Sequence, residues 1–181
     1  MNERLTKPYN PAETEDRIYQ MWLDSGQFNP DQQSNVDPAK EPFSMVLPPP
    51  NVTGTLHIGH AATITIEDIM ARYNRMLGRK TLWLPGTDHA AIATQSKVES
   101  IIYKEEGLRR QDLGREKLLE RVRAFAADSH DTIINQTKRM GASLDWSREA
   151  YTLDDARNLA VRTAFKKMYD DGLVFQKYRT I

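Results

Sequence analysis

The chain has 181 residues, 39% of them hydrophobic and 28% charged, which suits one domain with a core of ordinary size. Lys plus Arg is 25 and Asp plus Glu is 25, so it lacks the basic excess of a self-sufficient nucleic-acid binder. The lack of cysteine excludes disulfides and thiolate metal sites, no apolar run reaches the ~20 residues that cross a bilayer, and MNERLTKPYN has no apolar signal region, so an intracellular, cytoplasmic protein is expected.

In chain order, residues 10–25 read as a helix. Asn10 is its expected cap, Pro11 its first residue and Glu13 the other half of a capping box. Ile18, Met21 and Trp22 form an apolar stripe, and Gly26 ends it. Residues 27–42 are polar with three prolines and read as a loop. The run 43–47 (FSMVL) predicts a short buried strand, broken by Pro48, Pro49 and Pro50. A helix is expected over 59–77, with Ala62, Ile66, Ile69, Tyr73 and Met76 on one side and Gly78 at its end. A second strand covers 80–84, and Pro85 to Asp88 turn the chain into a helix over 90–105. Residues 113–140 form one or two charged helices closed by Gly141. Thr152 is the expected cap of a last helix, with Asp155 three residues on, apolar positions at Leu159, Val161, Phe165 and Met168, and Gly172 as its stop; a strand begins at 173. The basic pairs Arg109–Arg110, Lys138–Arg139 and Lys166–Lys167 read as solvated helix faces ahead of a nucleic-acid footprint.

Strand, loop, helix, strand, loop, helix is a parallel α/β pattern. Ligands in such sheets bind beyond the carboxyl ends of the strands. The two loops that follow the strands therefore face one crevice.

Three segments in those loops carry chemistry. His57-Ile58-Gly59-His60 opens a helix, whose first N–H groups and macrodipole favour an anion. Gly59 leaves room for close approach, and two rings three residues apart face one side. Charge-assisted bonds from them are worth ~1.5–3 kcal/mol each. Thr53 and Gly54 add a hydroxyl and a tight turn. Plain helix capping explains the same pair of histidines at least as well, and a metal site with His89 as third ligand is a weaker alternative. Pro48, Pro49 and Pro50 give a rigid wall with carbonyls lacking competing N–H groups, suited to an ammonium, although strand termination is by itself the better explanation. Asp88 is either a helix cap or the partner of an α-amino group. No Walker or dinucleotide glycine motif is present.

The blocks LPPPNVTGTLHIGHA, RYNRMLGR, LPGTDHAAIATQ and GASLDWSRE, in this order, resemble the class I aminoacyl-tRNA synthetases over nearly the whole chain. Residues 57–60 match their HIGH signature, and PPPNVTG with GTDHA and IATQ is similar to the valyl branch. The resemblance implies a Rossmann-type catalytic domain, of which residues 43–181 are the first half, truncated before the editing insertion, with 1–42 an amino-terminal helix and loop and a helix-rich carboxyl-terminal part. It implies activation of valine by ATP, with Mg2+ as the nucleotide's counter-ion and no protein-bound metal, and transfer to tRNA(Val) through domains beyond this chain. It places His57 and His60 as catalytic residues. Asn51, Thr53, His57, Gly59 and His60 are expected at ATP, and Pro48, Pro49 and Asp88 at the amino acid. A non-catalytic nucleotide-binding or regulatory paralogue and a split half needing a carboxyl-terminal partner chain are the alternatives. Ala91 stands where the family usually has glycine.

Overall fold

The protein is described here from a computed structural model covering residues 8–178. Its elements are α1 (Pro11–Asp24), β1 (Phe43–Val46), α2 (Ile58–Met76), β2 (Thr81–Leu84), β3 (Gly86–Thr87), α3 (Ala91–Glu106), α4 (Arg110–Leu113), α5 (Arg115–Arg139), β4 (Ala150–Tyr151) and α6 (Asp155–Asp170). A 3₁₀ turn, Trp146–Arg148, precedes β4. The fold is mixed α/β with short parallel strands and many helices.

β1 and β2 pair in parallel with Phe43 opposite Thr81 and Val46 opposite Leu84. The connection between them is α2, as a parallel pair requires. Thr81 and Trp83 point inward while Leu82 and Leu84 are only half-buried, the period of two expected of a strand. Leu47, Ile64, Ala71, Trp83, Ala142 and Leu144 form the core, with Met45, Leu56 and Trp146 against it. The second pair, β3 with β4, is also parallel and short, joining Gly86 to Ala150 and Thr87 to Tyr151.

The face that α2 buries is not the one its apolar stripe predicts. Ile66, Ile69, Tyr73 and Met76 are exposed, and Ile64, Ala71 and Asn74 are buried. The reason is a polar row at 68, 72 and 75 that grips the 141–143 loop. Asp68 Oδ1 accepts from the Ser143 N–H (2.9 Å) and hydroxyl. Arg72 donates to the Gly141 carbonyl and Arg75 to that of Ser143, both at 2.8 Å. Several directional, charge-assisted bonds set the helix's rotation against a sheet too narrow to cover more than one side. The helix stops as expected, with Gly78 at φ +78°.

Other local expectations are corrected. Asn10 caps no backbone group; its amide instead donates to Glu13 Oε1 (2.8 Å), so no capping box forms. In α1, Met21 is exposed, whereas Ile18 and Trp22 are half-buried. The last helix is capped by Asp154, which accepts from the Arg157 N–H, and not by Thr152. Leu159, Val161, Phe165 and Met168 are all exposed. Residues 173–178 form no strand, because no described segment pairs with them; 179–181 lie outside the described residues.

Residues 8–42 pack onto the rest of the molecule. Tyr19 donates to the Ala142 carbonyl (2.8 Å) and accepts from the Trp146 indole (2.7 Å). Gln33 brackets Thr81, donating to its carbonyl (2.7 Å) and accepting from its N–H (2.9 Å). Among the described residues no helix is long and apolar enough to cross a membrane.

Candidate functional site

The loop after β1 and the segment after β2 are tied by their backbones. The Asp88 N–H donates to the Pro50 carbonyl and the Val52 N–H to the Asp88 carbonyl, both at 2.8 Å. Asn51 and Asp88 thus form a parallel bridge. Two motifs far apart in sequence are held side by side by the groups that a proline run leaves available. Pro48 and Pro49 are exposed, whereas Pro50 is buried and spends its carbonyl on Asp88.

His57 is the N-cap of α2. Its Nδ1 accepts from the Gly59 N–H (3.0 Å), and His60 Nδ1 accepts from the His57 N–H (3.2 Å). The two rings make a reciprocal capping box with centroids 3.9 Å apart. An accepting Nδ1 carries no proton, so each neutral ring holds its proton on Nε2 and presents an N–H donor. Burial, and then the neighbouring His57, push His60 below its ordinary pKa. Capping and anion binding are therefore compatible: the Nδ1 atoms do one and the Nε2 atoms are left for the other. A Cβ at residue 59 would lie 2.8 Å from the His57 ring, so glycine here makes room for that ring.

A cavity of about 200 Å³ lies between this turn and the β1 loop, lined by Leu47, Pro48, Pro50, His57, Gly59 and His60 among others. Of the expected site residues, Pro48, His57, Gly59 and His60 meet there; Pro49, Asn51, Thr53 and Asp88 are not in its wall. Asp88 reaches the loop through backbone bonds, and Pro49 sits beside Gly86, 4.0 Å from a Cβ built there. A larger cavity, about 730 Å³, lies between α1 and the end of α5, with Trp22 and Lys138 in its wall and none of these residues. Size alone does not mark the site, since the smaller cleft is where a helix N-terminus and paired donors converge.

One participant escaped the sequence reading. The Thr152 hydroxyl bonds to Asp88 Oδ1 (2.8 Å) and receives the His89 N–H (2.9 Å), with His89 Nδ1 at 2.6 Å. A register of two residues between β3 and β4 brings it there, and no local pattern announces it. Tyr151 stands edge-on to both His89 and His130, its hydroxyl pushed up by burial and then by Asp88. Ala90 follows in the left-handed region (φ 42°), the one non-glycine residue so placed among those described, and occupies the N-cap position of α3 without a side-chain cap bond. Ala91, where glycine was expected, is the first residue of α3, and its backbone is not left-handed. Among the described residues no three His, Cys, Asp or Glu side chains gather to hold a metal.

Residues 17–181 match the family described as tRNA synthetases class I (I, L, M and V). The chain belongs to the class I tRNA synthetases. It is 47% identical over 177 residues to a valine--tRNA ligase of Clostridium acetobutylicum, covering 98% of this chain and 20% of that one. It is 53% identical over 163 residues to the chloroplastic/mitochondrial valine--tRNA ligase 2 of Arabidopsis thaliana, covering 90% and 16%. This class I chain thus spans about one-fifth or less of the length of these curated relatives. A ternary LeuRS–tRNA–LeuAMS complex from Agrobacterium radiobacter has the same fold, with TM-score 0.72 at 20% identity over 93% of this chain and 19% of that one.

Proposed function

We propose that this chain is the HIGH-bearing part of a valine-activating synthetase, in which ATP and valine meet between the triple-proline loop and the first turn of α2. One observation carries the reading. The reciprocal histidine cap leaves two Nε2–H donors at a helix N-terminus that shares a cleft with Pro48 of the proline loop, and Asp88 is pinned by its backbone to that same loop. The high identity to relatives named valine--tRNA ligases supports valine as the amino acid.

In this reading the valine carboxylate attacks the α-phosphorus of ATP, pyrophosphate leaves, and the valyl group of the adenylate passes to tRNA(Val). The protein mainly positions the reactants and stabilises phosphate charge. His57 and His60 donate to the phosphates, Gly59 lets them approach, and Asn51 and Thr53 place the nucleotide. Pro48 and Pro49 wall the amino-acid side, and Asp88 takes the ammonium. Mg2+ enters with the nucleotide as part of the substrate. The tRNA is held by parts beyond this chain, supplied by a carboxyl-terminal remainder, and the reaction runs in the cytoplasm.

Calorimetry with the sulfamoyl-adenosine analogues of valyl-, isoleucyl- and leucyl-adenylate tests this. The valyl compound is expected to bind most tightly. His57→Asn keeps an N-cap acceptor and withdraws the donor from the Nε2 position, because its amide N–H groups sit on a shorter side chain, so ATP affinity is expected to fall about tenfold with unchanged helicity. Valine-dependent exchange of pyrophosphate into ATP, where present, is expected to fall on the order of 10²-fold in the same variant. Equal binding of all three analogues would sink the reading.

A further inference from the structure

Thr152 lies 64 residues from Asp88 in sequence, yet its hydroxyl is the meeting point of three groups. A hydroxyl has one proton and two acceptor lone pairs. The His89 backbone N–H can only donate, and it takes one lone pair (2.9 Å). The Asp88 carboxylate can only accept, so the hydroxyl proton goes to Oδ1 (2.8 Å). The remaining contact, 2.6 Å to His89 Nδ1, then requires the proton on the ring. The opposite arrangement, with the hydroxyl donating to Nδ1, would set a bare hydroxyl oxygen 2.8 Å from a carboxylate oxygen and is repulsive.

We infer that Thr152 is a positioning residue for the amino-acid site: its hydroxyl holds Asp88 Oδ1 and locks His89 as the Nδ1–H tautomer, leaving Asp88 Oδ2 as the oxygen that receives the substrate ammonium. Oδ1 is fully engaged, since it also accepts from the Ala90 N–H (3.2 Å) and lies 3.4 Å from His89 Nδ1. Oδ2 has no partner among the described residues, and the Asp88 side chain is 35% exposed. One oxygen is thus committed to the fold and the other is open. The Thr152 backbone is itself anchored, its N–H donating to the Thr87 carbonyl (3.1 Å), so the hydroxyl is delivered from a fixed point. The inference rests on the reading of Asp88 as the ammonium's partner, and its test separates the two.

Thr152→Val removes the hydroxyl at constant shape, and Thr152→Ser restores it. Ring-nitrogen NMR of His89 in the ligand-free chain, at an alkaline pH where an imidazole is neutral, reads the lock directly. Wild type and Thr152→Ser are expected to show a protonated Nδ1 and a bare Nε2, while Thr152→Val turns to a mixture dominated by Nε2–H. Valine and valyl sulfamoyl adenosine, followed at the Asp88 carboxyl carbon, read the consequence. Affinity for the valyl analogue is expected to drop about tenfold in Thr152→Val and to stay within about threefold in Thr152→Ser, with ATP affinity unchanged in both. A wild-type ring protonated at Nε2, or a ring unchanged in Thr152→Val, overturns the lock. Equal loss of valyl analogue and ATP overturns the positioning role in favour of general loosening. The expected ring signature with no response of Asp88 to valine keeps the lock and sinks the ammonium reading. Where the valine variant fails to fold, Thr152→Ala removes the same hydroxyl and is read in its place against the wild-type and serine spectra.

Discussion

At residue 60, a small shift in protonation has a structural cost. His60 Nδ1 accepts the His57 N–H, so a proton arriving there removes one half of the capping box. Its pKa is pushed below the ordinary 6.5 by burial and then by His57. The folded state therefore prefers the neutral ring. As pH falls from 6.5 toward the lower folded value, the unfolded chain takes up the proton first, and stability is lost. Above 6.5 the contribution is fully present. Urea unfolding of wild type and His60→Gln between about pH 8 and about pH 5 checks this: the fall in stability below 6.5 is expected to be shallower in the variant. Identical profiles would remove His60 from the account. The same residues show what sequence can carry. The HIGH segment at a helix start pointed to both capping and anion binding, and treated them as rivals. Only the ring geometry, with Nδ1 inward, shows that one histidine pair can do both.

At the scale of elements, the glycine stops of helices were readable, while two of their amino-terminal caps and their buried faces were not. Gly78 and Gly141 mark where α2 and α5 stop because a left-handed residue is needed there and glycine takes it at little cost. Burial depends on what lies opposite, and α2 turns its Asp68–Arg72–Arg75 row inward although its apolar stripe lies elsewhere. Thr152 was read as a cap for the same reason: its partners are non-local. A further non-local tie holds the site. The Leu56 N–H, just before the HIGH turn, donates to Gln136 Oε1 of α5 at 2.8 Å. Replacing Gln136 by Ala leaves that half-buried donor unmet and is expected to cost about 1–2 kcal/mol, with faster hydrogen exchange at Leu56. Gln136→Glu keeps an acceptor and is expected to restore slow exchange. If the Leu56 amide exchanges equally slowly in the alanine variant, α5 does not steady the turn.

The molecule as a whole carries more surface than a compact chain of its size. Its accessible area is 13493 Å² at 20.8 kDa, against about 9,000 Å² expected of a globular monomer. Large apolar side chains are exposed on identifiable elements. Ile66, Ile69, Tyr73 and Met76 line the outer side of α2; Leu159, Val161, Phe165 and Met168 stand out from α6; and Val46 is open on β1. β1 and β2 form a sheet of two strands; the outer edge of β2 is covered, with Gln33 holding Thr81 and the Asp145 N–H on the Trp83 carbonyl, while β1 has one edge with no strand partner among the described residues. Unpaired edges and contiguous apolar faces associate in water. The chain in isolation is therefore expected to self-associate with rising concentration and to bind a hydrophobic dye in its native state. Sedimentation and dye fluorescence measure the two effects. Replacing Ile66, Ile69 and Met76 together by Gln is expected to reduce both while leaving helicity intact, because these side chains contribute nothing to the core formed by Leu47, Ile64 and Trp83. Should the unmodified chain stay monomeric and dye-free at every concentration, its apolar faces must cover one another in solution, and α2 and α6 must then pack differently from the arrangement described.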